Sequence, residues 1–121
     1  MKQFVIIATL LFFSVSACKD PEPTPLVPGA CENMNYTFSD VQYIFENNCV
    51  GCHAYGGEAV AAGDFSSYQG IEEALNADQF TFLSQVRWEM SDSNFNMPPA
   101  DKMSNNDIQK LECWIEAGYP Q

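Results

Sequence analysis

The chain has 121 residues, of which 16 are Asp or Glu and 5 are Lys or Arg, giving a formal net charge of −11. A chain of this length holds one small domain. Its negative charge excludes nucleic acid as a natural partner and opposes binding to anionic lipid surfaces. Two interpretations of the acidic surface stay open, a partner protein with a basic docking face and a surface that only keeps the domain soluble.

The first segment has the pattern of an export signal. Lys2 supplies positive charge, residues 4–13 are almost wholly apolar, and small residues then lead to Cys18. The apolar run is too short to span a bilayer comfortably. Residues 15–18 resemble the lipobox of bacterial lipoproteins, in which the signal is cut before the cysteine and the cysteine carries lipid. We therefore expect a signal peptide over residues 1–17 and lipid on Cys18, the alternative being an ordinary cleaved signal.

Residues 18–30 predict an extended tether. Four prolines occur in this segment, and at about 3.1 Å per residue in polyproline II conformation it would reach roughly 35 Å from the lipid. The remaining residues, 31–121, are predicted to form the domain. We expect this domain outside the cytoplasm, held through Cys18 at the periplasmic face of a membrane or at the outer surface of a Gram-negative cell.

Hydrophobic periodicity in the domain predicts an all-α fold, since there is no sustained alternation and no hairpin pattern. Residues Ser39 to Gln42 have the form of a capping box at the start of a first helix. Its apolar residues at helical spacing are Phe38, Val41, Ile44 and Phe45. The helix leads directly into a cysteine motif.

That motif, residues 49–53, reads Cys-Val-Gly-Cys-His, and C-x-x-C-H is the attachment sequence of a c-type haem. The thiols of Cys49 and Cys52 add to the haem vinyl groups from one side of a helical turn, and His53 is the proximal iron ligand. A thioredoxin-type disulfide would need a βαβ pattern, which is absent. A zinc site would need four ligands, and His53 is the only histidine.

A glycine-containing loop over residues 54–65 follows the motif. Ser66 with Gln69 predicts the cap of a short helix that ends near Leu75, and a further helical segment is predicted over residues 79–89. Its apolar residues at helical spacing are Phe80, Leu83, Val86 and Met90. We expect these to be core residues along the haem edge.

The single histidine leaves the second axial position of the iron to Met, Lys, water or no ligand. Met97 is favoured because it lies in a polar loop and because Pro98 disfavours the α conformation for it. An extended methionine there can approach the iron from the side opposite His53. Thioether sulfur is soft and neutral, so it favours ferrous iron. Met90 and Met103 are the alternatives.

The last helix has the clearest pattern, with a cap at Ser104 and an end at Gly118 and Pro120. Its apolar stripe consists of Ile108, Leu111 and Ile115. Cys113 lies about 160° from Leu111 around the helix and so faces away from the stripe. Since the other cysteines have expected roles, Cys113 is predicted to form a disulfide with Cys31, as an oxidising compartment allows.

The haem motif, the Met97-Pro98-Pro99 sequence and the terminal helix together resemble a single-domain class I cytochrome c of the kind exported as bacterial lipoproteins. The resemblance spans residues 38–120. It implies a cytochrome c fold of three to five helices in which the first and last cross, one covalent haem c, and axial ligation by His53 and Met97. Family members commonly carry a proline after the haem motif whose carbonyl accepts the histidine N–H, and no proline occurs between Ala54 and Met97.

The expected function is one-electron transfer to and from redox proteins rather than catalysis. The only histidine is committed to iron, so no Cys/His or Ser/His pair can form. Two alternatives stay open. One is a haem-based ligand-binding or sensing module with an open sixth position, and the other is an electron-feeding subunit of a dehydrogenase or oxidase complex.

Overall fold

Three α-helices form most of the regular structure in residues 30–121, the residues that the computed structural model describes. They are α1, Phe38–Asn48, α2, Tyr68–Val86, and α3, Asn105–Glu116, with short 3-10 turns at Val60–Ala62 and Ser93–Phe95. No strand occurs in this part of the chain, and the predicted all-α class is confirmed. None of the helices in residues 30–121 combines the length and the apolar character needed to span a bilayer. The predicted signal peptide and Cys18 lie outside the described residues.

Helix α1 begins two residues before the start that a cap at Ser39 predicts. Thr37 is the N-cap, and its backbone N–H donates to Asp40 Oδ2 at 2.8 Å. Hydrogen bonds from the backbone and side chain of Thr37 hold the pKa of Asp40 below its usual value. The pair forms a capping box in which the carboxylate also lies at the positive end of the helix dipole.

Helix α2 consists of two helical segments joined by a kink at Asp78, in agreement with the two segments that the sequence predicts. Its N-cap is Ser67, whose Oγ accepts from Gly70 N at 3.2 Å, and not the predicted Ser66. At Asp78 the backbone leaves the helical conformation, with φ −160° and ψ 80°. The Asp78 carboxylate accepts the N–H of Thr81 at 2.9 Å, as an N-cap does. The second segment therefore starts with its own cap.

The prediction that Phe80 lies in the core is wrong. Phe80 is 79% exposed, whereas Phe82 is 8% exposed. Residues two apart on a helix point about 160° away from each other, so only one of these rings can face the core. Phe82 and Val86 lie one turn apart on the buried face of this segment, and Phe80 points away from it.

Helix α3 follows the sequence prediction at both ends. Ser104 Oγ accepts the backbone N–H of Asp107 at 3.1 Å, and Gly118 follows the helix with φ 84°, a left-handed conformation that favours glycine. Trp114 is fully buried, and its Nε1–H donates to the Pro120 carbonyl at 2.9 Å. This bond holds the C-terminal turn against the helix.

Helices α1 and α3 pack together and form the centre of the core. The Trp114 ring lies 6.0 Å from Phe45 and 6.2 Å from Phe38, measured between ring centroids. Nearer the start of α3, the Tyr43 hydroxyl donates to Asp107 Oδ1 at 2.5 Å. Since α1 contains no glycine, this contact is made through large side chains rather than through close backbone approach.

The sulfur atoms of Cys31 and Cys113 are bonded in the structure, with an S–S distance of 2.05 Å and Cα atoms 5.2 Å apart. Cys113 is buried, and the bond joins the segment before α1 to α3. The segment around Cys31 thus contacts the side of α3 that faces away from the apolar stripe, the arrangement expected from the helical position of Cys113.

Replacing both cysteines, as Cys31→Ser with Cys113→Ser, is expected to lower the free energy of unfolding by on the order of 4 kcal/mol. The reason is that the bond restricts a long loop of the unfolded chain. Denaturant titration of the haem-loaded proteins measures the difference. Two reactive thiols at these positions in unreduced wild-type protein would contradict the pairing.

Candidate haem site

The C-x-x-C-H motif continues the C-terminal end of α1 as a short turn. The N–H of Cys49 donates to the Phe45 carbonyl at 2.8 Å, which extends the helical hydrogen bonding. The N–H groups of Cys52 and His53 both donate to the Cys49 carbonyl, at 3.1 and 2.9 Å. Local backbone hydrogen bonds therefore position both thiols and the imidazole.

The two thiols of the motif differ in burial. Cys49 packs against the core and Cys52 is exposed, and neither is in a disulfide. Burial raises the pKa of the Cys49 thiol to about 12, so the thiol is neutral at neutral pH. A redox-active C-x-x-C motif needs the opposite shift, toward thiolate. In residues 30–121 no three His, Cys, Asp or Glu side chains form a metal-binding group, which leaves the zinc alternative without a ligand set there.

His53 is buried, with 8% of its surface exposed. Its ring stacks on Phe65, with 4.6 Å between ring centroids and 19° between the planes. The Nδ1 atom is buried and has no hydrogen-bond partner among the described residues. A polar atom buried in this way is costly, and such atoms in a native fold call for a functional explanation.

Met97 lies in a loop that is attached to the C-terminal part of α2. Its N–H donates to the Gln85 carbonyl at 3.0 Å. The preceding Asn96 is buried, and its side-chain oxygen accepts the N–H of Met90 at 3.2 Å. The loop is therefore held by polar contacts with the chain around it, and the Met97 side chain is half-buried.

Helix α2 connects the histidine to the methionine loop. The Phe82 ring lies 6.1 Å from Phe65, which in turn stacks on His53. Gln85, about one turn further along α2, accepts the hydrogen bond from Met97. The Phe65 ring that stacks on His53 and the backbone of Met97 thus contact α2 about one turn apart.

The other described methionines have different surroundings. Met103 is buried in the hydrophobic core, where packing accounts for it. Met34 Sδ accepts the Tyr36 hydroxyl at 3.6 Å, away from the motif in sequence. Met90 is half-buried beside the same loop as Met97. Met97 and Met90 are thus both half-buried and held by polar contacts, and the choice of Met97 as the ligand stays a prediction from its place before Pro98.

Several side chains that shape the site were not predicted from the sequence. Phe65 ends the glycine-containing loop, and no local pattern indicates that it stacks on His53. The burial of Asn96 could not be predicted, because most of its neighbours in the sequence are polar and exposed. Phe82 is missed because Phe80 also lies at helical spacing from Leu83 and Val86, so the apolar pattern does not decide which of the two rings is buried.

The residues of the site suit a haem group. Besides His53 Nδ1, one buried side-chain nitrogen in residues 30–121 lacks a partner, Trp88 Nε1, which can donate to a haem carboxylate. Trp88 also has φ 63°, a left-handed conformation that costs a bulky residue energy and that often occurs at functional sites. Haem offers an iron for imidazole and thioether, vinyl groups for two thiols, and carboxylates that accept hydrogen bonds. Each of these complements a group that the chain provides.

An all-α domain with a C-x-x-C-H turn and a buried histidine defines a c-type cytochrome. The family model described as Cytochrome c matches residues 38–118, more than half of the chain, and the chain therefore belongs to the cytochrome c family. Its cofactor is covalently bound haem c, and haem-based electron transfer with redox proteins is the activity of the family. Bacterial cytochrome c domains usually lie outside the cytoplasm. Comparison with curated proteins and with solved structures found no match.

Proposed function

We propose that the protein is a mono-haem class I cytochrome c that carries single electrons between protein partners without turning over a substrate. The observations that support this best are the buried His53, stacked on a Phe65 ring that contacts Phe82 of α2, and the Met97 loop, which is hydrogen-bonded to Gln85 about one turn further along α2. One histidine and one methionine on either side of a haem form the ligand set of an electron carrier. The net charge of −11 favours partners with a basic docking face.

Haem, when bound, supplies the exchange of one electron between ferric and ferrous iron. Cys49 and Cys52 hold it by two thioether bonds, so that a small domain retains its cofactor. His53 would supply an imidazole nitrogen as one iron ligand. Met97 would supply a soft thioether as the other, which would favour the ferrous form and raise the reduction potential.

The acid and base groups of the described residues support a carrier rather than an enzyme. His53 is the only histidine of the chain. The carboxyl groups whose pKa is lowered, Asp40, Asp64 and Asp78, owe the shift to hydrogen bonds from neighbouring turn or cap residues. Perturbed carboxyl groups at catalytic sites are instead shifted by burial or by charged partners in a cleft.

Optical spectra of the oxidised and reduced protein, with and without carbon monoxide, test this function. The expected result is a low-spin haem in both oxidation states that binds carbon monoxide slowly, because both axial positions are filled. Rapid binding by the wild type would instead support a ligand-binding or sensing module. Isolation as a stable complex with a dehydrogenase or oxidase would support an electron-feeding subunit.

The proposal includes a lipid tether on Cys18, which lies outside the described residues. It is supported by the apolar segment before Cys18 and by the prolines after it. Attachment there would place the haem domain on a spacer over residues 19–30, at a membrane facing the periplasm or at the outer cell surface.

Cys18→Ser is expected to abolish incorporation of labelled fatty acid and to release the domain from membranes with its haem spectrum unchanged. The reason is that the anchor and the haem domain are separated by the tether. Fractionation of cells that express each form measures the release. Unchanged membrane association of the variant would show that an uncleaved apolar segment is the anchor.

A further inference from the structure

The proximal histidine of this protein lacks the usual partner of a metal-bound imidazole. Histidine ligands generally donate the ring N–H that does not face the metal to a carboxylate or a backbone carbonyl, which fixes the ring orientation and raises its basicity. In His53 that atom would be Nδ1, and it is buried with no partner among residues 30–121. Within residues 30–121, the orientation of this ring is therefore not set by a hydrogen bond at Nδ1.

The Phe65 ring is placed to do so. It lies nearly parallel to the imidazole, 4.6 Å away between centroids and 19° between planes. The two residues are also joined through the backbone, since the Phe65 N–H donates to the His53 carbonyl at 2.7 Å. Phe65 is therefore fixed relative to His53 at both its main chain and its ring.

The Phe65 ring is itself held on other sides. Phe45 of α1 and Phe82 of α2 contact it in edge-on geometry, at 6.2 and 6.1 Å between centroids. Edge-to-face contacts of this kind stabilise aromatic pairs beyond their buried area. The stacking surface that His53 meets is thus anchored to both helices that flank the site.

The absence of a side chain at Gly63 provides room for the Phe65 ring. A Cβ atom at this position would lie 2.7 Å from Cε1 of Phe65, too close for any real contact, and the φ of 141° also favours glycine. Any larger residue at Gly63 would push the ring out of its place beside His53.

We propose that Phe65 is the positioning residue for His53, and that its ring, rather than a hydrogen-bond acceptor, sets the plane of the imidazole over the haem. This proposal rests on the proposed function, because it takes His53 as an iron ligand. Without an acceptor at Nδ1 the imidazole is a weaker donor to iron than a hydrogen-bonded one. The arrangement therefore favours ferrous iron, in the same direction as a thioether ligand.

Paramagnetic proton NMR of the ferric holoprotein tests the proposal, because the shifts of the haem methyl groups depend on the orientation of the axial imidazole plane. Phe65→Leu keeps an apolar side chain but removes the flat face, and it is expected to change the pattern of methyl shifts. Phe65→Tyr keeps the face and should retain the wild-type pattern. Phe38→Leu is the matched control and should retain the wild-type pattern, since Phe38 packs against the core but has its ring contacts with Tyr68 and Trp114.

An unchanged pattern in Phe65→Leu would overturn the proposal. If that variant does not fold, Phe65→Met also removes the flat aromatic face, and its flexible side chain fills the space more easily. In wild-type protein, cross-relaxation between ring protons of His53 and Phe65 is expected, and its absence would also overturn the proposal.

A second readout addresses the missing acceptor. In ferrous Met97→Ala protein, we expect a low iron–histidine stretching frequency, as for other haem proteins in which the imidazole ligand has no strong hydrogen-bond acceptor. A high frequency would show that a water molecule or another group accepts from Nδ1. It would overturn the inference that His53 has no hydrogen-bond acceptor. If His53→Gly leaves the wild-type spectrum intact, the proposed function fails instead, independently of Phe65.

Discussion

Replacing Cys49 and Cys52 together with alanine is expected to yield protein from which all haem is removed by denaturation. Both thioether bonds are then absent, and His53 alone cannot hold the group once the fold is lost. Haem staining of a denaturing gel measures covalent attachment directly. The band of the wild type should be absent in the double variant, whatever the fraction of haem that the folded variant retains.

The matched control is the double variant Cys31→Ser with Cys113→Ser, which also removes two cysteines from the described part of the chain. It should keep its covalently bound haem although it is less stable. A haem-stained band in the Cys49→Ala and Cys52→Ala variant would end the assignment of these two residues as attachment sites.

Met97→Ala is expected to open the sixth coordination position of the iron. The variant should bind carbon monoxide rapidly and should have a lower reduction potential, since a soft thioether no longer favours ferrous iron. The decrease is expected to be a sizeable part of the range of about 0.8 V over which axial ligands set haem potentials. Folding should survive because Cys49, Cys52 and His53 still hold the haem. Spectroscopic redox titration and carbon monoxide binding kinetics measure both effects.

Two further methionine variants separate ligation from packing. Met90→Ala changes a half-buried residue beside the same loop, and Met103→Leu changes a buried core residue with little change in volume. Both should keep the low-spin spectrum and the slow binding of carbon monoxide. An unchanged spectrum in Met97→Ala together with a changed one in Met90→Ala would transfer the ligand role to Met90.

Local sequence chemistry accounts for the features that were predicted well. The Ser104 cap and the stripe of α3 appear in the structure as expected, because a cap and a helical period involve residues only a few positions apart. The C-x-x-C-H turn is equally local, since its hydrogen bonds run between Phe45 and His53. The family match over residues 38–118 is consistent with the fold class that these patterns predict.

Features that depend on the phase of a helix were predicted less well. Ser66 and Ser67 are the same residue type and are equally suitable as N-caps. In the structure the Ser66 hydroxyl donates to the Asp64 carboxylate, and Ser67 caps the helix. Phe80 and Phe82 both fit the apolar spacing of the second segment of α2, and the structure buries Phe82 and exposes Phe80. The helical period does not decide between two large apolar residues on either edge of the core-facing stripe.

The sequence by itself determined the all-α class and the candidate haem residues Cys49, Cys52, His53 and Met97, because residue type and short spacing specify that chemistry. Only the tertiary structure decided what surrounds them. It brings Phe65 onto His53, leaves Nδ1 without an acceptor, and attaches the methionine loop to α2. Such contacts join segments distant in the chain and are selected by how side chains fill the core, which no local pattern records.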